Sequence, residues 1–351
     1  MKQKISPRKE VLQMHGHQMP QGRTGKLRLD FNENTVGCSP AVLAALRKLS
    51  REEIAVYPEY EATRRRMARY FKVSPAETIL NNGVDDSLKL IFDCFIEPRA
   101  SVFLVEPTFD MYRIYSALHG ARVISEPLDK NFRVPMEKVL RALRKHKPRV
   151  FLLANPNNPT GTLLSRQELR RLLDVVPRTL VVVDEAYAEF SGVTVLPWIR
   201  RYGNLVVTRT FSKVAGLAGL RFGCLFANRE LVAQMRKAQP PFSVNSAALV
   251  AAEAALRDRN YQRRTVREVL LAKRQFENDL NRLGVRVFPS GGNFLLADFG
   301  TRAPSLLRAM AGQGILLRDR SRDFGRPGFI RITIGTRAQM RRLVRALEAQ
   351  W

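Results

Sequence analysis

Apolar residues recur along this chain with two different periods, and the alternation between them is its strongest structural signal. Between about residues 78 and 227, short apolar runs bounded by Pro, Gly, Asn or Asp read as strands: Val102–Val105, Arg122–Ile124, Val150–Ala154, Thr179–Val183, Asn204–Thr208 and Gly223–Phe226. Stretches with helical spacing lie between several of them, at Val84–Phe95, Met136–Lys145 and Ser165–Val175. Strands apolar on both faces and separated by helices predict an α/β fold around a mostly parallel sheet. Ligands collect beyond the carboxyl ends of the strands in such sheets.

After Pro240-Pro241 the pattern changes. A helical stretch runs from Asn245 to Leu283 with a break near Asp258–Tyr261, and strands follow at Val285–Phe288, Phe294–Ala297 and Phe329–Ile334, with helices at 304–312 and 337–349. This predicts a smaller α+β domain over 246–351 beside a large domain over 46–245. The N-terminal segment, 1–45, is rich in Pro and Gly and is expected to pack on the small domain and cross the cleft.

At 351 residues, 45% hydrophobic and 26% charged, the composition is globular. No window approaches the 18 apolar residues of a membrane span, and the start Met1-Lys-Gln-Lys-Ile-Ser lacks a signal-peptide core, so the expectation is a cytoplasmic protein with no membrane partner. Cys38, Cys94 and Cys224 show no ligand spacing, and no metal is expected. The net charge of +27 invites polyanions. Its basic residues are spread over amphipathic helices such as Arg337–Arg345, without a helix-turn-helix or aromatic-studded basic strand, so no specific nucleic-acid partner is expected.

The candidate chemistry sits at predicted strand ends. Lys213, in Arg209-Thr-Phe-Ser-Lys213-Val-Ala-Gly216, offers an amine that can form an imine with an aldehyde cofactor and serve as a proton carrier. Asp184 follows three valines, and a carboxylate at the end of so apolar a strand needs a cationic or hydrogen-bonding partner, which a protonated pyridine nitrogen supplies. Glu185 competes for that role; Asp184 is favoured because Tyr187 then turns its phenol toward the pyridine's own phenolic oxygen, to which Asn158 also donates. Thr210, Ser212 and Arg221 provide hydroxyls and a cation for a phosphate, and Gly83, Val84 and Asp85 open a helix whose amides face an anion. Amine, carboxylate, phenol, amide and phosphate cradle together point to pyridoxal 5′-phosphate.

These segments resemble the fold-type I pyridoxal-phosphate-dependent aminotransferases, most closely the histidinol-phosphate aminotransferase family. The resemblance runs through Leu29-Asp-Phe-Asn-Glu-Asn34, Tyr57-Pro58, Pro107–Tyr112, Asn155–Gly161, Val183–Phe190, the Lys213 segment, Gly292-Asn-Phe294, Ile315–Asp319 and Ile330–Gly335. It implies that Phe109 stacks on the cofactor ring, that Tyr57 reaches the site of the other subunit in a homodimer, that Arg331 holds the substrate's anionic group with help from Arg318, and that Asn34 lies near the substrate. The implied reaction is transamination between L-histidinol phosphate and 2-oxoglutarate in histidine biosynthesis. Aromatic amino acid transamination, phosphothreonine decarboxylation and, in another class, nucleic-acid binding on an inactive scaffold are the competing readings. Where many relatives carry Pro-Tyr-Gly-Pro after Asn-Glu-Asn, this chain has Thr35-Val36-Gly37-Cys38, which removes an expected tyrosine hydroxyl.

Overall fold

The computed structural model describes residues 5–14 and 21–351. Its larger unit is built on a seven-stranded sheet in the order Thr78–Asn81, Gly223–Ala227, Leu205–Thr210, Leu180–Asp184, Val150–Ala154, Ser101–Glu106, Arg122–Pro127. The last five strands are mutually parallel, whereas Gly223–Ala227 runs antiparallel to both its neighbours. The mostly parallel sheet is therefore observed, and Thr78–Asn81, too short to stand out in the apolar pattern, adds an edge strand.

Every residue of Val150–Ala154 and Leu180–Asp184 is buried, because helices cover both faces. Side-chain alternation divides each strand between two cores: Val181 and Val183 enter one, Leu180 and Val182 the other. The helix Arg166–Val175 starts at a capping box in which Ser165 accepts from the Glu168 amide and the Glu168 side chain accepts from the Ser165 amide. Its Leu169, Leu172 and Leu173, spaced to one face, enter the first core.

The smaller unit is a four-stranded antiparallel sheet, ordered Arg318–Asp319, Phe329–Thr333, Phe294–Asp298, Arg286–Phe288. Ile330 and Ile332 point into its core against the helices Ala303–Gly312 and Arg337–Glu348, so Arg331 between them faces the opposite way. The helical stretch after Pro241 breaks at Asp258, as its pattern predicts, into Ser246–Arg257 and Arg259–Arg282. The alanine-rich first half packs into the larger unit's core through Ala248, Ala251, Ala252 and Ala255, while Ala272, Phe276 and Leu280 of the second half belong to the smaller one. The larger core thus runs on through Leu256.

Leu27 and Arg28 pair in parallel with Ile315 and Leu316, and Thr333 donates its amide to the Leu29 carbonyl at 2.9 Å. The segment then crosses, so that Val42 lies in the larger core. Its crossing residues, Phe31 to Glu33, pass over the carboxyl ends of the parallel strands. Among the described residues no helix is long and apolar enough to cross a membrane.

Candidate active site

A cavity of about 390 Å³ opens between the two units where the parallel strands end. Three successive strand ends build its floor. Leu205–Thr210 delivers Thr210, Ser212 and Lys213; Leu180–Asp184 delivers Asp184, Ala186 and Tyr187; Val150–Ala154 delivers Pro156 and Asn158. Phe109, Val84, Asp85 and Arg221 close one side, and Arg318, Arg320 and Arg331 of the smaller unit form the roof.

Asp184 and Glu185 are separated by the alternation of the strand. Asp184 continues the parity of Val182 toward Tyr112, which donates its hydroxyl to Asp184 Oδ2 at 3.1 Å; Thr208 Oγ1 donates to Oδ1 at 3.0 Å and the Ala186 amide at 3.2 Å. Glu185 turns the other way and is consumed by Arg209 at 2.8 Å, the Thr194 hydroxyl at 2.7 Å and the Val195 amide at 2.6 Å. Asp184 is therefore the carboxylate that faces the cavity. It has no cationic partner among the described residues, and burial pushes its pKa above the ordinary carboxylate value. A protonated pyridine nitrogen would supply the missing cation.

Lys213 Nζ donates to the Phe31 carbonyl at 3.0 Å, and Tyr187, whose ring centroid lies 5.6 Å from that nitrogen, accepts from Asn32 Nδ2 at 2.9 Å. Arg221 pairs with Asp85 at 2.8 Å. Gly83 does not line the cavity itself but packs behind this pair: with φ at +79°, a Cβ there would lie 2.7 Å from Arg221 Nη2, so only glycine lets the guanidinium settle against the helix start. Pyridoxal phosphate fits this donor set: Arg221, Thr210, Ser212 and the amides at Val84 and Asp85 would hold its phosphate, and Phe109, Asp184 and Tyr187 would hold its ring.

The roof is electrostatically unusual. Arg318 and Arg331 sit directly opposite each other on neighbouring strands. Like charges so placed repel. Arg331 is buried, donates to the Asp30 carbonyl at 2.6 Å and to Asn158 Oδ1, and leaves Nε without a partner among the described residues. Burial, together with Arg320 and Arg318, lowers its pKa to about 10, which still leaves a full cation at neutral pH. It forms no salt bridge with the described residues. Arg318 lies with its guanidinium carbon 5.3 Å from the Phe31 ring centroid.

Two predicted residues lie elsewhere. Asn34 is used by the chain itself: its Oδ1 accepts the Val36 and Gly37 amides at 3.0 and 3.3 Å and its Nδ2 donates to the Val214 carbonyl at 3.0 Å, so it lines a neighbouring cavity with Thr35 and Val36. Asn32 faces the main cavity instead. Tyr57 lies outside the lining, 76% exposed and stacked on Phe242 at 4.3 Å between ring centroids. Tyr112, Thr208, Asn32 and Arg320 were missed as site residues. Only Tyr112 carried a signal in the sequence, as a hydroxyl one helical turn beyond Phe109.

The chain belongs to the class I and II aminotransferases, whose family model matches residues 24–347. It is a pyridoxal-phosphate-dependent transaminase of the fold-type I architecture. It is 36% identical over 333 residues to the histidinol-phosphate aminotransferase of Geobacillus sp. (strain WCH70), covering 93% of this chain and 90% of the relative. To that of Roseiflexus castenholzii it is 38% identical, covering 88% and 85%. The crystal structure of histidinol-phosphate aminotransferase from Sinorhizobium meliloti in complex with pyridoxal-5′-phosphate superposes with a TM-score of 0.82 at 28% identity, covering 92% and 89%. L-threonine-O-3-phosphate decarboxylase from Porphyromonas gingivalis superposes with a TM-score of 0.81, also at 28% identity, covering 92% and 98%.

Proposed function

We propose that this enzyme transfers an amino group between L-histidinol phosphate and 2-oxoglutarate, giving imidazole-acetol phosphate and L-glutamate, as a cytoplasmic step of histidine biosynthesis. The observation that carries the reading is the facing pair Arg318 and Arg331, two cations on adjacent strands with one nitrogen unpartnered, aimed at the same cavity as Lys213. Such a roof is stabilised by an anion and fits a phosphate ester and a carboxylate in turn, because a guanidinium pairs bidentately with either. The names of the relatives agree with it.

Bound pyridoxal phosphate supplies the electron sink that lets the substrate's Cα–H bond ionise. Asp184 holds the ring nitrogen protonated, with Tyr112 and Thr208 fixing the carboxylate's orientation. Tyr187, oriented by Asn32, and Asn158, oriented by Arg331, would hold the ring's phenolic oxygen. Lys213 Nζ moves the proton taken from the substrate carbon. Arg331 and Arg318 bind the anionic end and set the distance between it and the reacting carbon.

A homodimer completes the site in this reading. Tyr57, Val56, Ile54 and Phe242 are large apolar residues left exposed, and a second copy that covers them brings Tyr57 to its cofactor phosphate. Steady-state assays of one holoenzyme preparation on histidinol phosphate, phenylalanine and phosphothreonine test the assignment. Histidinol phosphate with 2-oxoglutarate should give a kcat/KM at least tenfold above phenylalanine, and release of carbon dioxide from phosphothreonine at a comparable rate would overturn it.

A further inference from the structure

Arg320 lines the same cavity as Arg318 and Arg331 but is spoken for. Its Nη1 and Nη2 donate to the two carboxylate oxygens of Asp110 at 3.2 and 3.1 Å, and its Nε donates to Asp323 Oδ2 at 2.5 Å. With two carboxylates around one guanidinium, Arg320 has no uncompensated positive charge to offer a substrate anion. The arrangement is asymmetric in a telling way. Asp323 is on Arg320's own segment and fixes the direction of the guanidinium, whereas Asp110 belongs to the larger unit, where it opens the helix Asp110–Leu118 directly after Phe109. The Arg320 side chain is 7% exposed and Asp110's is 49% exposed, so the bond runs from a buried cation out to an accessible carboxylate across the cavity's edge.

The same segment makes a second contact with the larger unit. Ser321–Phe324 forms a short 3-10 turn, and Phe324 packs its ring 4.8 Å from that of Phe132, which lies in the loop before the helix Met136–His146. Phe132 also meets Phe288 and Phe329, at 4.5 and 5.8 Å, and its carbonyl accepts from Thr162 Oγ1 at 2.5 Å. An apolar plug thus holds the far end of the segment, an ionic clasp holds its middle, and Arg318 stands at its near end.

We propose that Arg318–Phe324 is a strap across the cavity and that Arg320, through its clasp on Asp110, is a positioning residue that sets the reach of Arg318 toward a phosphate-bearing substrate. The inference rests on the aminotransferase reading of the cavity. Without Asp110 the guanidinium still pairs with Asp323, but Asp323 lies on the same segment and ties it to nothing outside, so an unclasped strap is free to shift and takes Arg318 with it. The clasp thereby acts on binding of the doubly charged substrate more than on the proton transfer at Lys213.

Asp110→Asn tests this in the holoenzyme, because it breaks the ion pair while keeping the side chain's shape and every tryptic site of the strap. Two readouts are expected to move together: trypsin cleavage within 318–326 under native conditions should accelerate about tenfold, and KM for histidinol phosphate should rise about tenfold with kcat changed less than about twofold. Asp110→Glu should recover part of both. Arg320→Met should raise KM similarly and add nothing in the double variant. Wild-type cleavage and wild-type KM in Asp110→Asn, or effects that multiply in the double variant, would overturn the clasp. A wild-type enzyme inactive on histidinol phosphate would overturn the functional reading instead, and the cleavage rates would still decide the strap.

Discussion

The floor and the roof of the cavity are built on opposite principles. The central polar groups of the floor stand at or just past the ends of buried strands and are each fixed by a neighbour: Asp184 by Tyr112 and Thr208, Tyr187 by Asn32, Lys213 by the Phe31 carbonyl. The roof concentrates cations on a small sheet, sets two of them face to face, and leaves Arg331 with an unmatched nitrogen. A floor satisfied in advance suits a cofactor that stays through the whole cycle. An incomplete roof suits ligands that change between half-reactions, since each anion that enters relieves the same repulsion.

That contrast is sharpened most by Lys213→Ala, which removes from the floor the one group that must move a proton. Turnover should fall by about 10³-fold or more while thermal unfolding stays near wild type, and borohydride should no longer fix the cofactor to the chain. Reduced wild type carrying the pyridoxyl group on another lysine would defeat the assignment. On the roof, Arg331→Ala should cost about 2–5 kcal/mol in binding of either anion. Single-turnover rates of both half-reactions should drop together, while Arg318→Ala should slow the phosphate substrate more than glutamate. Intact rates and affinities in Arg331→Ala would remove the anion site.

Asp184→Asn should reduce the rate by about 10²-fold while leaving cofactor occupancy complete, as read from the visible spectrum of the purified protein. The smallest effect concerns the cofactor-free protein. Burial raises the Asp184 pKa, so the folded state favours the protonated carboxyl. Its contribution is fully present below the unfolded carboxylate value and is lost as pH rises through the higher folded one. Relative to Asp184→Asn, the melting temperature of cofactor-free wild type should therefore fall as pH rises above about 4, the usual carboxylate range, because the other carboxylates are common to both proteins. Asp184→Asn lacks that pH-dependent loss, and Glu185, also raised by burial, remains in both proteins and cancels in the comparison. Equal slopes with and without the carboxylate would show that Asp184 is not held in this desolvated state.

The floor was legible in the sequence and the roof only partly so, for a geometric reason. Lys213 and Asp184 announce themselves locally, as polar residues ending apolar strands. The partners that orient Asp184 lie 72 and 24 residues away, and the one that orients Tyr187 lies 155 away, so they are fixed by strand register and crossover rather than by any nearby pattern. Arg331 had a signal in the alternation Ile330-Arg331-Ile332 within a strand, which sends an arginine to the face away from the core. Arg320 had none, because its meaning depends on Asp110, 210 positions earlier. Asn34 misled for the converse reason: an amide in a turn serves the two amides that follow it before it serves a ligand.

Arg331 has a practical consequence for handling the protein. A desolvated guanidinium with no carboxylate partner among the described residues will accept whatever small anion the solution offers. Phosphate and sulfate should act as competitive inhibitors and as thermal stabilisers at once, each by occupying the roof in place of substrate. Activities measured in phosphate buffer should then read low, and the choice of buffer anion becomes part of the assay rather than its background.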